Sequence, residues 1–223
     1  MPTLDRDGDV FVLNLGDDEN RFSLQWLAEV HGYLDTVTDA DGPRALVTTA
    51  SGKFFSNGLD LDWLSANPDK FAEYVNSVHA LLARPLGLGV PSIAAIQGHC
   101  FAAGGMFALA HDFRVMRSDR GFFCLPEIDI HIPFTRGMSS LIQARLSKRT
   151  AHEAMTTGRR YGGEEAEAAG IVDAVAGEDA VLSTAIELAR PLAKNAGSTL
   201  ATIKRRMYTE ALAALGDSEN PLD

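Results

Sequence analysis

Thiol chemistry is scarce in this chain: it has two cysteines, Cys100 and Cys124, and they do not stand in a CxxC spacing. That excludes a disulfide framework and argues against a zinc site built from cysteine alone. The simple expectation is two core thiols in a reducing compartment. No apolar run approaches the length of a membrane span. Positive charge is also short, with 20 Lys and Arg against 30 Asp and Glu, for a formal net charge of -10. Such a field does not suit nucleic acid or an anionic bilayer, although a few local cations can still hold a small anionic ligand. The opening Met-Pro-Thr-Leu-Asp-Arg-Asp-Gly-Asp is acidic and unlike a signal or transit peptide, and the closing Glu-Asn-Pro-Leu-Asp is not a peroxisomal tripeptide address. A cytoplasmic location is therefore expected.

What is present is a chain of 223 residues, 46% hydrophobic and 22% charged, which is enough for one sizeable core. Short strands are expected at Val10–Leu15, Ala45–Thr49 and Pro91–Ile96. Ser23 is placed to cap a helix whose apolar residues Leu24, Leu27, Val30, Leu34 and Val37 recur at helical spacing. A helix from Asp69 is expected to stop at Pro85. After Glu127, alternation puts Ile128, Ile130 and Ile132 on one side of a strand and Asp129 and His131 on the other. A strand is expected at Ile171–Val175, and the remainder is mostly helical. Strand–helix units up to about residue 130 are thus followed by helices. We divide the chain into a core over 1–195 and a helical extension over 196–223.

Two stretches share one design: a strand or turn, then small residues, then a helix. They are Ser56-Asn57-Gly58-Leu59-Asp60 and Ala102-Ala103-Gly104-Gly105. At each helix start, backbone N–H groups lack intrahelical partners. If the two turns converge, the Leu59 N–H and that of Ala103 or Gly104 can point at one carbonyl oxygen. Taken singly, each turn is read more simply as a glycine-assisted helix entry. Neither is a dinucleotide or Walker fingerprint, and a phosphate loop would need a Lys after the glycines. Glu127 in Leu-Pro-Glu is a candidate acid/base carboxylate. Asp129 and His131 stand two and four residues on, but ligands at every second residue of a strand lie in a row rather than around a point, so no metal is expected. His99 and His111 are read as structural, and Asp60 as a helix cap.

These motifs, in this order, resemble the crotonase (enoyl-CoA hydratase/isomerase) superfamily. They are Ser-Gly-Lys-Phe-Phe-Ser-Asn-Gly-Leu-Asp-Leu at 51–61, Ile-Gln-Gly-His-Cys-Phe-Ala-Ala-Gly-Gly-Met at 96–106, Leu-Pro-Glu at 125–127 and Gly-Arg-Arg-Tyr-Gly-Gly at 158–163. The tract Thr199–Tyr208 is similar to that of the family's Δ3,Δ2-enoyl-CoA isomerases. The resemblance implies an α/β fold, a spiral of ββα units with a helical C-terminal region, assembled as a homotrimer or a dimer of trimers. It also implies an acyl-CoA substrate, with coenzyme A part of that substrate and no separate cofactor. The implied oxyanion hole is the pair of Leu59 and Ala103 N–H groups. Family members usually carry Gly where this chain has Ala102 and Ala103.

Hydratases of the family carry one glutamate at the position of Met106 and another at that of Glu127. With Met106 apolar, one carboxylate remains. That fits an isomerase taking a proton from C2 and returning it at C4. Hydration, CoA-ester hydrolysis, decarboxylation and a catalytically inactive acyl-CoA-binding protein are the alternatives. Met106, Phe107, Phe122, Phe123 and Ile130 are the expected apolar surround of Glu127. For the ligand, Arg21, Lys53 and Lys204, with Arg205 and Arg206 beside the last, are candidate phosphate contacts. Phe54, Ser56, Asn57, Gly58 and Gly104 are expected to line its path, mostly through backbone.

Overall fold

After the first two, strands leave the chain alternately for two different sheets. The computed structural model describes residues 1–219. The larger sheet has the order β1-β2-β3-β5-β7-β9, from Thr3–Asp7, Val10–Asn14, Ala45–Thr49, Ser92–Ile96, Phe113–Arg117 and Ala174–Ala176. Only the β1–β2 pair is antiparallel, closed by a two-residue turn at Gly8-Asp9 with Gly8 at φ 61°. The smaller sheet is β4 (Phe54–Ser56), β6 (His99–Phe101) and β8 (Phe123–Cys124), all parallel. From β3 onward each successive pair of strands, β3 and β4, β5 and β6, β7 and β8, contributes one strand to each sheet before the next helix, whereas β1 and β2 both join the larger sheet. This is the crotonase-type spiral that the motifs imply.

The helices follow from local signals. Ser23 caps α1 (Leu24–Asp39) by accepting from the Trp26 N–H, and the stripe of Leu27, Val30, Leu34 and Val37 is buried as its spacing requires. Asp60 caps α2 (Leu61–Ala66). The next helix, α3 (Phe71–Gly87), runs through Pro85 rather than stopping there, because a proline in the final turn removes one backbone bond and the last turn still closes. A short apolar helix, α4 (Ala103–Ala110), is buried on every side. It is followed by α5 (Arg136–Arg145), α6 (Lys148–Thr157), α7 (Gly163–Ala168) and α8 (Val181–Ala189). The core lies between the two sheets and the helices, and a second apolar cluster joins α8 to the other face of the large sheet. None of the helices is long and apolar enough to cross a membrane, among the described residues.

The last two helices, α9 (Ser198–Met207) and α10 (Thr209–Leu215), break at Tyr208 and pack against α3 and α5 of the same chain. Their docking is polar as well as apolar. The Lys204 ammonium lies 2.7 Å from Asp112 Oδ1, and Arg145 donates to the Tyr208 hydroxyl. The chain end, including the residues 220–223 read above for a targeting address, lies outside the described residues.

Two further expectations are corrected. Ile128–Ile132 is not a strand. Pro126–Ile128 forms a 3-10 turn, and Asp129, Ile130 and Ile132 N–H groups bond back to Pro126 and Glu127 carbonyls. A short segment between Pro126 and Pro133, with no neighbouring strand to pair, curls on itself instead. Similarly, Ile171 and Val172 N–H groups both bond to the Ala166 carbonyl, so the strand starts only at Ala174.

Candidate active site

The two small-residue turns do converge. A Cβ built on Gly58 would lie 2.8 Å from the Ala103 nitrogen, and one built on Gly104 would lie 2.6 Å from the Ser56 carbonyl oxygen. Glycine is needed at both because one backbone lies directly on the other. Gly58 also has φ 79°.

Peptide planarity then aims the donors. The Gly58 carbonyl accepts from the Phe22 N–H at 2.9 Å. In a trans peptide the next N–H, that of Leu59, points the opposite way. Its neighbours are already committed, since the Gly58 N–H donates to Ser56 Oγ and the Asp60 N–H to the Tyr74 hydroxyl. In the second turn the Ala102 carbonyl accepts from the Met106 N–H, so the Ala103 N–H points out of the start of α4. Leu59 and Ala103 both line one cleft of about 310 Å3. Neither of these two N–H groups has a protein acceptor among the described residues.

Glu127 lines the same cleft and is 6% exposed. Its Oε2 is buried without a hydrogen-bond partner. Burial pushes the carboxyl up to about 7, opposed by a backbone hydrogen bond at Glu127 itself. Around it the walls are apolar: Met106 and Met138 are nearly fully buried, and Phe101, Ile130 and Ile132 complete that side. The cleft thus holds two N–H groups without protein acceptors and one buried carboxyl raised to about 7. Among the described residues no group of three His, Cys, Asp or Glu side chains is gathered as a metal site.

The expected surround of Glu127 needs revision. Met106 and Ile130 line the cleft, whereas Phe107 and Phe123 belong to the core. Phe122 turns outward beside His99, their ring centroids 5.7 Å apart. His99 also faces Phe54 and Phe101, and it is lowered by burial and then by the charges of Lys53, Arg120 and Arg160. His111 is structural as read, bridging the Phe107 carbonyl and Thr48 Oγ1, and burial lowers it to about 3.

Of the proposed ligand contacts, Arg21 and Asn57 reach the cleft. The Arg21 guanidinium is held by Glu19 at 2.5 Å and Asp62 at 2.6 Å. Lys53 is exposed, with its ammonium 5.1 Å from the Phe54 ring centre, and neither residue lines the cleft. Ser56 and Gly104 support the turns from behind. Lys204 is not brought to the cleft: it is 3% exposed and committed to Asp112, while Arg205 and Arg206 face outward.

Several supporting residues carry no sequence motif. Asn20, buried at φ 50°, donates from Nδ2 to the Phe54 and Phe55 carbonyls, and its own carbonyl accepts from Ser56 Oγ. Tyr74 ties Phe22 to Asp60 through its hydroxyl. His79 Nε2 lies 2.8 Å from Thr135 Oγ1, which caps α5 just ahead of Met138. Their signal is tertiary: a buried polar side chain must find a partner, and the partner is far along the chain.

Residues 6–218 match the family model described as enoyl-CoA hydratase/isomerase. The chain is 39% identical to enoyl-CoA delta isomerase 3 of Arabidopsis thaliana, over 94% of this chain and 93% of that protein. It is 37% identical to the peroxisomal enoyl-CoA delta isomerase 2 of the same organism, over 97% and 95%. Among solved structures, human mitochondrial delta3-delta2-enoyl-CoA isomerase superimposes with a TM-score of 0.90 at 25% identity, covering 99% of this chain and 90% of that one.

Proposed function

Because the chain belongs to the enoyl-CoA hydratase/isomerase family, we propose that it is a Δ3,Δ2-enoyl-CoA isomerase in which Glu127 moves the proton. The thioester oxygen of a 3-enoyl-CoA accepts from the Leu59 and Ala103 N–H groups. Donors of this kind contribute about 3 kcal/mol each to stabilising the enolate. Glu127, unpartnered at Oε2, removes a proton from C2. Electrons move to give the dienolate, and the same carboxyl returns the proton to C4, leaving the C2–C3 double bond conjugated with the thioester. Atoms balance without cofactor or water. The anionic end of coenzyme A would meet Arg21 at the cleft mouth. A homotrimer or dimer of trimers remains the assembly implied by the resemblance.

The observation that carries this choice is Met106, 1% exposed, which lines the same cleft as Glu127. Adding water across a double bond requires a second group to hold and activate that water, and a thioether cannot do so. The test is a panel of 3-enoyl and 2-enoyl thioesters followed at the absorbance of the conjugated thioester. Growth of absorbance from 3-enoyl substrates without its loss from 2-enoyl substrates is expected. Rapid loss from 2-enoyl substrates would make the protein a hydratase.

A further inference from the structure

Three non-glycine residues adopt positive φ among those described: Asn20, Ala102 and His131. Asn20 is of a type that tolerates the left-handed region, and His131 lies in an exposed loop. Ala102 is different. At φ 50°, ψ -127° it occupies the first corner of a type II′-like turn, where a Cβ is penalised and glycine is free. The turn demands this conformation. The Ala102 N–H donates to the Cys124 carbonyl at 3.0 Å, and its carbonyl accepts from the Met106 N–H at 3.1 Å. Glycine would make both bonds without strain, so a use for the methyl has to be sought in what it touches.

The methyl does not fill the core, since Ala103 belongs to the main cluster and Ala102 does not. Instead Ala102 lines the cleft, and its Cβ lies 3.2 Å from where a Cβ on Gly58 would sit. The methyl therefore faces Gly58. Gly58 shares a peptide with the Leu59 N–H, and Ala102 shares one with the Ala103 N–H. The Ala103 nitrogen lies nearer still to the position of a Gly58 Cβ, at 2.8 Å, so the methyl flanks a direct contact between the two turns.

We propose that Ala102 is a positioning residue whose methyl, kept at the expense of backbone strain, braces the contact between the two turns and so holds the Leu59 and Ala103 N–H groups where both reach one thioester oxygen. Strain held at a functional site in this way persists only where surrounding bonds fix it. The inference rests on the isomerase reading above and adds the residue that sets its donor geometry.

The test compares Ala102→Gly and Ala102→Ser with the unaltered protein. Removing the methyl relieves strain, so Ala102→Gly should melt at the same temperature or a few degrees higher. Loosening the donors should lower kcat about tenfold or more, while KM changes by less than about twofold, since a donor pair acts mainly in the transition state. The rise of activity through the Glu127 ionisation should stay where it is. Ala102→Ser, which keeps an atom at Cβ, should retain most of kcat. Full kcat in Ala102→Gly overturns this positioning role, and so does a change confined to KM. A fall in melting temperature together with activity would make the methyl ordinary packing. Absence of 3-enoyl turnover in the unaltered protein overturns the isomerase reading instead, so the two failures are distinct.

Discussion

Glu127→Gln separates the cost of burying this carboxyl from its proposed use. In the folded protein burial raises this group from 4.5 to about 7. A raised carboxyl binds its proton more tightly folded than unfolded, so folding is opposed as pH rises. Below about 4.5 the group is protonated in both states and carries no penalty. Between there and about 7 the penalty grows, and above 7 it is complete at about 3 kcal/mol. Little screening reduces this figure, because the residue is 6% exposed. Gln has nearly the same shape and never ionises. The stability gap between Glu127→Gln and the unaltered protein should therefore widen by about 2 kcal/mol from pH 5.5 to pH 8, in favour of the variant. Urea unfolding at both pH values measures it, with a constant slope confirming that the same transition is compared. At pH 8 the variant should melt higher by several degrees, and its isomerase activity should fall by a factor of about 100 to 10,000. A gap that does not change with pH, or one that favours the wild type more at pH 8, would refute the assignment of a buried, raised carboxyl.

The remaining predictions concern the supports of the site. Gly58→Ala places a Cβ at 2.8 Å from the Ala103 nitrogen on a residue with φ 79°. It should lose about 100-fold in kcat and about 1–2 kcal/mol of stability, both read on the same preparation. Tyr74→Phe removes the hydroxyl that joins Phe22 to Asp60, at about 1–3 kcal/mol in urea unfolding. Lys204→Ala breaks the buried pair with Asp112 and should cost about 3 kcal/mol while leaving the KM for the thioester unchanged. A raised KM at unchanged stability would instead restore Lys204 as a ligand contact. Activity of the unaltered protein should rise with pH through about 7 as Glu127 ionises.

The parts legible in the sequence were those written locally. The α1 stripe, the caps at Ser23 and Asp60, and the two glycine turns each carry a signal within a few residues, and all appear where the spacing puts them. The smaller sheet was not legible, because strands of two or three residues such as Phe123–Cys124 are too short to show alternation. The Ile128–Ile132 segment shows the opposite failure: it alternates well and has no strand to pair with. In the site, the turns and Glu127 were visible as motifs, and their meeting was an expectation from resemblance. The supports Asn20, Tyr74 and His79 were invisible because each bonds a residue more than 30 positions away. Lys204 turns inward to Asp112, which a basic run on an amphipathic helix does not announce.

Proton transfer within the site tests the account most directly. A 3-enoyl thioester is converted in deuterium oxide, and the product is analysed for deuterium at C4 and for 3-hydroxyacyl thioester. One carboxyl shuttling the proton inside a cleft walled by Met106 and Met138 predicts a 2-enoyl product of which a clear fraction carries no deuterium at C4, with no hydrated product. Complete deuteration at C4, or a 3-hydroxyacyl thioester formed as fast as the 2-enoyl product, would contradict it.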